Sequence, residues 1–149
     1  MREFIVKQRA TTERELESMK NFLRSNQLPA DDLKLDSSCL LMYYNGDDKL
    51  MGTGALEFYN QHALLRSLAV SPEVRGQQLG KQMVYDLLEQ AAAAGCEEVY
   101  LLTETAPIFF KKFGFVEWKR DQVPVTIQSS SEFSYACPTS AQVMKLVVA

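Results

Sequence analysis

Between Ala63 and Leu102 the chain passes from an apolar run, through a Ser-Pro break and a glycine-containing loop, into a long helical stretch and back into an apolar run. Ala63 to Val70 is the first run, and Ser71-Pro72 stops it. Gly76 to Gly95 reads as the helix. Leu79, Met83, Leu87 and Leu88 share one face, the alanine run favours helix, and Gly95 is placed as the C-terminal stop. Val99-Tyr100-Leu101-Leu102 is the second run. Strand, long helix, strand predicts two parallel strands joined by a right-handed crossover. The class is therefore α/β, with helices laid on a sheet.

The flanks add a meander. Glu3 to Gln8 reads as a short first strand, and Thr12 with Glu15 forms a capping box before a helix whose apolar face is Leu16, Met19, Phe22 and Leu23. Pro29-Ala30-Asp31-Asp32 reads as a second helix start. Cys39 to Tyr44 and Leu50 to Tyr59 are strands around the Asn45-Gly46 turn. Pro107 opens a short helix ending at Phe113-Gly114, Phe115 to Trp118 is a strand, Pro124 to Phe133 holds a short helix, and Gln142 to Val148 is a last strand. Residues 1–149 are expected to form a single domain, without repeat or linker.

Composition narrows the function classes. The net charge is −3 across 149 residues, which argues against a protein that binds by neutralising nucleic-acid phosphates. No apolar run reaches membrane-spanning length, and the N-terminus lacks a signal-peptide pattern. The expectation is a soluble cytoplasmic protein with no membrane partner. One His and three Cys with no C-x-x-C spacing argue against a structural metal; Cys39, Cys96 and Cys137 are expected as reduced thiols.

The chemistry concentrates where the first run feeds the long helix. Leu68-Ala69-Val70-Ser71-Pro72-Glu73-Val74-Arg75-Gly76-Gln77-Gln78-Leu79-Gly80-Lys81 ends a strand and opens a helix through small residues. A helix start offers unpaired N–H groups and the positive end of the macrodipole. Arg75 and Lys81 add charge, so the segment suits a pyrophosphate. The glycines alone also fit plain loop packing. The pattern is neither the G-x-G-x-x-G dinucleotide fingerprint nor a P-loop.

Arg75-Gly76-Gln77-Gln78-Leu79-Gly80 resembles the acetyl-CoA-binding R/Q-x-x-G-x-G/A motif of the GNAT N-acetyltransferases, and Phe109-Phe110-Lys111-Lys112-Phe113-Gly114-Phe115 resembles their F-Y-x-x-x-G-F signature. The resemblance implies a GNAT fold with a mixed sheet of about six to seven strands flanked by about four helices. It implies acetyl-CoA as co-substrate, no metal, and direct transfer to a small-molecule amine. Leu68, Ala69, Val70, Arg75, Gly76, Gln77, Gln78, Leu79, Gly80, Lys81, Phe109 and Phe110 would then hold the cofactor, with backbone N–H groups around Ala69 polarising the thioester. Gln78 stands where the motif has its middle glycine. Phe110 stands where many members have a proton-donating tyrosine.

Leu65-Arg66-Ser67-Leu68-Ala69-Val70, Leu101 to Ala106, Val123-Pro124 and Cys137-Pro138 are similar to a subgroup holding N-acetylglutamate synthases and arsenic-resistance N-acetyltransferases. That likeness implies an amino acid or an arsenic- or phosphorus-containing analogue as acceptor. Arg66, alone in an apolar run, must pair with a structural carboxylate or face a cleft; the likeness implies a clamp for a substrate carboxylate. Ser67, Thr103 and Glu104 are candidate substrate contacts, though Thr103, Glu104 and Thr105 equally suit capping of the Pro107 helix. Glu57 is the candidate general base, or else an ordinary strand carboxylate. His62 reads as a turn residue, Cys137 as a packed thiol, and Tyr43 and Tyr44 as packing. Rival readings are a catalytically weak acyl-CoA-binding module and a protein N-acetyltransferase. The Phe133–Ala149 tail offers a means of homodimerisation.

Overall fold

The computed structural model describes residues 6–75, 78–104, 106–130, 133 and 140–148. Strand β1 (Val6–Arg9) leads into α1 (Glu13–Ser25), β2 (Ser38–Tyr44), β3 (Leu50–Tyr59) and β4 (His62–Val70). Then come α2 (Leu79–Ala93), β5 (Glu98–Thr103), α3 (Pro107–Lys111), β6 (Val116–Glu117), α4 (Val125–Gln128) and β7 (Gln142–Val147). The strands form one sheet in the order β1-β2-β3-β4-β5-β7-β6. The β4–β5 pair is parallel, as the crossover requires, and the others are antiparallel.

Local chemistry sets these elements. Thr12 Oγ1 accepts from the Glu15 N–H at 3.1 Å and the Glu15 carboxylate reaches back to the Thr12 N–H at 3.1 Å, completing the capping box of α1. Leu16, Met19 and Leu23 bury the helix against Leu40, Met42 and Ala55 on one face of the sheet. The α2 side chains Leu79, Met83, Val84 and Leu87 bury against Met51, Leu56 and Leu65 on the other. Gly52 and Gly54 let α2 approach β3. A Cβ at Gly52 would lie 2.7 Å from Met83 Sδ and 3.3 Å from the Ala69 carbonyl. A third cluster, Leu64, Tyr100, Val123, Ile127, Phe133 and Val143, lies at the β5–β7 end with α4.

One expected element is absent. Ala30 to Asp36 forms turns with no helix. Ala30 and Leu33 drop into the core beneath α1, while Asp32 is drawn to Arg66, so this segment follows its tertiary partners over its local helix-start signals. His62 stands at the Asn60-Gln61 turn with Nδ1 2.9 Å from Glu98 Oε1. No described helix is long and apolar enough to cross a membrane.

Gly52→Val should destabilise the protein by about 1–3 kcal/mol through overpacking under α2. The check is a urea midpoint that falls while the m-value holds.

Candidate active site

The site is made by the parting of two strands. β4 pairs with β5 only at His62, Ala63 and Leu64, opposite Glu98, Val99 and Tyr100. Beyond Leu64 the strands separate. On the other edge of β4 the register with β3 slips between Thr53↔Ala69 and Ala55↔Arg66, leaving one extra residue on β4. Ser67 takes a left-handed φ of 59° in this bulge, and its carbonyl accepts from Thr53 Oγ1 at 2.9 Å.

The bulge also decides which N–H groups are open. The Ser71 N–H bonds the Met51 carbonyl at 2.7 Å. Antiparallel alternation from that bond turns the Ala69 N–H toward β3, and the Leu68 and Val70 N–H groups toward the gap. Ala69 itself is buried in the core beneath α1 and lines neither cavity. Of the N–H groups expected around Ala69, the alternation leaves those of Leu68 and Val70 directed at the gap and not that of Ala69 itself.

Two cavities occupy the gap. The first, about 830 Å³, is lined by Leu68, Val70, Arg75, Gln78, Leu79, Gly80, Lys81 and Phe109, with Lys112 and Phe113 opposite. Eight of the residues expected at the cofactor therefore come together here. Gly76 and Gln77 lie outside the described residues. The N-terminus of α2 opens on this cavity with no side-chain cap and no acidic residue in its first turn. Free N–H groups, three cationic side chains and an apolar wall fit a CoA thioester, whose charge sits at one end and whose arm is largely uncharged. Gln78 adopts φ 69°, ψ 12° at the helix start, a conformation in which glycine carries no penalty.

The second cavity, about 580 Å³, is lined by Arg66, Ser67, Thr103 and Glu104, by Gln27 and Pro29 from the loop after α1, and by apolar side chains. It shares Leu68, Ala106 and Phe109 with the first. All four residues expected at the substrate are brought together, but their roles differ. Thr103 Oγ1 accepts from the Ala106 N–H at 3.1 Å, so it fixes the turn that leads into α3. Glu104 is exposed at the cavity wall. Phe110 lines this cavity instead of the cofactor cavity, which corrects its placement, and packs edge-on against Phe115. It has no proton to donate.

Arg66 is the main correction. Its side chain has 0% exposure and Asp32's 11%. Nη1 and Nη2 grip both Asp32 oxygens, the latter at 2.9 Å. Nη1 also donates to Glu57 Oε2 at 3.0 Å, Nε to Ser67 Oγ at 3.1 Å, and Nη2 to the Pro29 carbonyl at 3.5 Å. The five N–H donors of a guanidinium are thus engaged within the chain. Arg66 takes the structural-carboxylate alternative and holds the loop carrying Pro29 and Asp32 against β4. Glu57 is corrected with it: one oxygen accepts from Arg66, the other from the Tyr59 hydroxyl at 2.8 Å, and it lines neither cavity. Burial and the bond to Glu57 push the Tyr59 phenol pKa up.

Sequence reasoning missed Asp32, Tyr59 and Ala106. The signal for Asp32 was the lone arginine, which demanded a carboxylate without saying which one. Burial alone would raise the Asp32 carboxyl pKa, but the Arg66 hydrogen bond and charge outweigh it and hold it below its usual range. The pair therefore stabilises the fold above the unfolded pKa of about 3.9, and this is lost as pH falls through the lower folded value. Asp32→Asn should cost about 1–3 kcal/mol at neutral pH, and the gap to wild type in urea unfolding should close in acid. Gln78→Gly relieves a left-handed side chain worth about 1–2 kcal/mol but loosens the unfolded chain by about 0.4–1 kcal/mol. Stability should move little, while CoA affinity measured by calorimetry rises several-fold as the side chain leaves the cradle.

The comparisons with known proteins agree with this geometry. The chain matches the acetyltransferase (GNAT) family over residues 5–115. No curated protein matches its sequence. Its fold is similar to a GNAT-family acetyltransferase from Staphylococcus aureus Mu50, at 18% identity and TM-score 0.80, covering 98% of this chain and 100% of the other. It is also similar to N-acetylglutamate synthase from Neisseria gonorrhoeae, solved with coenzyme A and N-acetyl-glutamate, at 15% identity and TM-score 0.77, covering 98% of this chain and 35% of that one. Rv2747 from Mycobacterium tuberculosis, solved with CoA and a second ligand, is 22% identical with TM-score 0.74, over 95% of this chain and 98% of the other. A strand that parts beside an uncapped helix start, and a family match across most of the chain, have one meaning: the protein belongs to the GNAT acetyltransferase family.

Proposed function

We propose that this protein is an acetyl-CoA-dependent N-acetyltransferase acting on the amino group of a small molecule. The observation that supports it is the junction of the two cavities at Leu68, Ala106 and Phe109, beside the opened edge of β4. The acceptor enters as an ammonium and releases one proton. Its nitrogen attacks the thioester carbonyl and the C–N bond forms; the nitrogen then gives up a second proton to solvent as the C–S bond breaks and the thiolate leaves. The N–H groups of Leu68 and Val70 are available for the cofactor arm and the developing oxyanion. The apolar junction excludes water and holds the reactants close. Phe110 supplies no proton, so the thiolate is protonated from solvent or leaves as the anion, which a thiol of ordinary pKa allows.

A second reading makes the acceptor an amino acid or an arsenic- or phosphorus-containing analogue. Its supports are the sequence likeness to that subgroup and the presence of Arg66 and Ser67 on the acceptor cavity. It requires Asp32 to yield Arg66 to the substrate's carboxylate. A cytoplasmic location and a single domain over residues 1–149 belong to the same proposal.

The test is steady thiol release from acetyl-CoA with a panel of small amines, with the acetylated product identified by mass. Turnover with at least one small amine is expected. Ala106→Trp fills the junction and should lower the rate by about 100-fold while acetyl-CoA still binds. Tight acetyl-CoA binding with no turnover on any amine would leave the acyl-CoA-binding module as the reading.

A further inference from the structure

The acceptor cavity carries a sign. Among the described residues its lining holds one cation, Arg66, and one carboxylate, Glu104. Arg66 is already met by two carboxylates, Asp32 and Glu57, so that cluster is formally one charge negative. Glu104 adds a second negative charge at the wall. The other lining side chains are uncharged, and many are apolar, among them Leu28, Leu65, Leu101 and Phe109.

A substrate carboxylate entering this cavity would have to take the Arg66 donors from Asp32. That would strand a largely buried aspartate beside an incoming anion. It would also approach Glu104, a like charge. An amine without a carboxylate meets neither obstacle. Its ammonium faces Glu104, and its stem faces the apolar side chains.

We propose that the acceptor is a cationic amine lacking a carboxylate, an aliphatic or aromatic primary amine or a diamine, selected by Glu104 on the cavity wall and by an Arg66 whose charge Asp32 and Glu57, behind that wall, already offset. This rests on the acetyl-transfer reading and narrows its substrate class. Asp32 is then a specificity-determining residue: it occupies the arginine that would otherwise attract an amino acid.

The experiment uses matched acceptors that differ only by the carboxylate: cadaverine and lysine, histamine and histidine, phenethylamine and phenylalanine. Thiol release at saturating acetyl-CoA gives kcat/KM for each. The carboxylate-free member should be favoured at least about ten-fold in the pairs that turn over. Asp32→Asn removes one negative charge and frees one edge of Arg66, so it should move the ratio toward the amino acid. Glu104→Gln should raise KM for the amine with KM for acetyl-CoA unchanged. Equal or better use of the amino acids by the wild-type protein overturns the proposal but leaves the acetyl-transfer reading standing. Turnover with no acceptor overturns that reading, and this proposal with it.

Discussion

Past Leu64, β4 cannot stay in register with both of its neighbours. It leaves β5 after Leu64 and, from Ser67 on, one extra residue shifts it against β3. A strand that leaves its neighbour exposes N–H groups which would ordinarily be paired. Here those groups face two cavities, so the unpaired backbone is kept for ligands. α2 enters through the same opening and lays its uncapped N-terminus beside the same N–H groups. If β4 kept its β5 partner to Val70, the gap would close and both cavities would lose their common wall.

A second constraint lies beside the bulge. Just before it, Arg66 stands opposite Ala55 and, by strand alternation, on the face of Leu64, so its side chain is buried. A buried guanidinium without partners would be prohibitive there. Two carboxylates, a hydroxyl and a carbonyl remove that cost, and three of the four come from outside β4: Asp32 and Pro29 from the loop after α1, and Glu57 from β3. The cluster therefore ties the loop that walls the acceptor cavity to the strand that divides the two cavities. An arginine that reads as a ligand in a linear sequence acts here as a fastener.

Much of this was legible from the residues. The crossover, the capping box at Thr12 and Glu15, the turn at Asn45-Gly46 and the stop at Gly95 are local signals, and each formed where its pattern placed it. The cofactor cavity was legible because its residues are nearly contiguous, from Leu68 to Lys81, with Phe109 added by one motif. The acceptor cavity was harder. Its wall draws on the α1 loop, β4, β5 and α3, and the decisive pairing joins residues 34 positions apart. Pro29-Ala30-Asp31-Asp32 carries genuine helix-start chemistry, and that local reading concealed the one carboxylate which Arg66 needed. Glu57 stayed open between general base and strand carboxylate, because alternation gives its side of the strand but not the partner waiting there.

The two cavities differ in charge. Arg75, Lys81 and Lys112 line one, whereas Glu104 lines the other together with Arg66, whose charge Asp32 and Glu57 offset from behind the wall. An overall charge of −3 conceals this, because it sums over the whole chain and three of its 16 Lys and Arg residues line the first cavity. The separation has a physical use. An anionic cofactor is attracted by the cations of the first cavity, and the cationic acceptor proposed above by Glu104 in the second. A negative wall has a drawback, since it favours the ammonium over the free amine that must attack. The junction opposes that effect: Leu68, Ala106 and Phe109 present no charge and little water, and desolvation there disfavours the ammonium. Attraction at the wall and deprotonation at the junction are thus divided between residues a short distance apart, and the bulge in β4 is what brings them together.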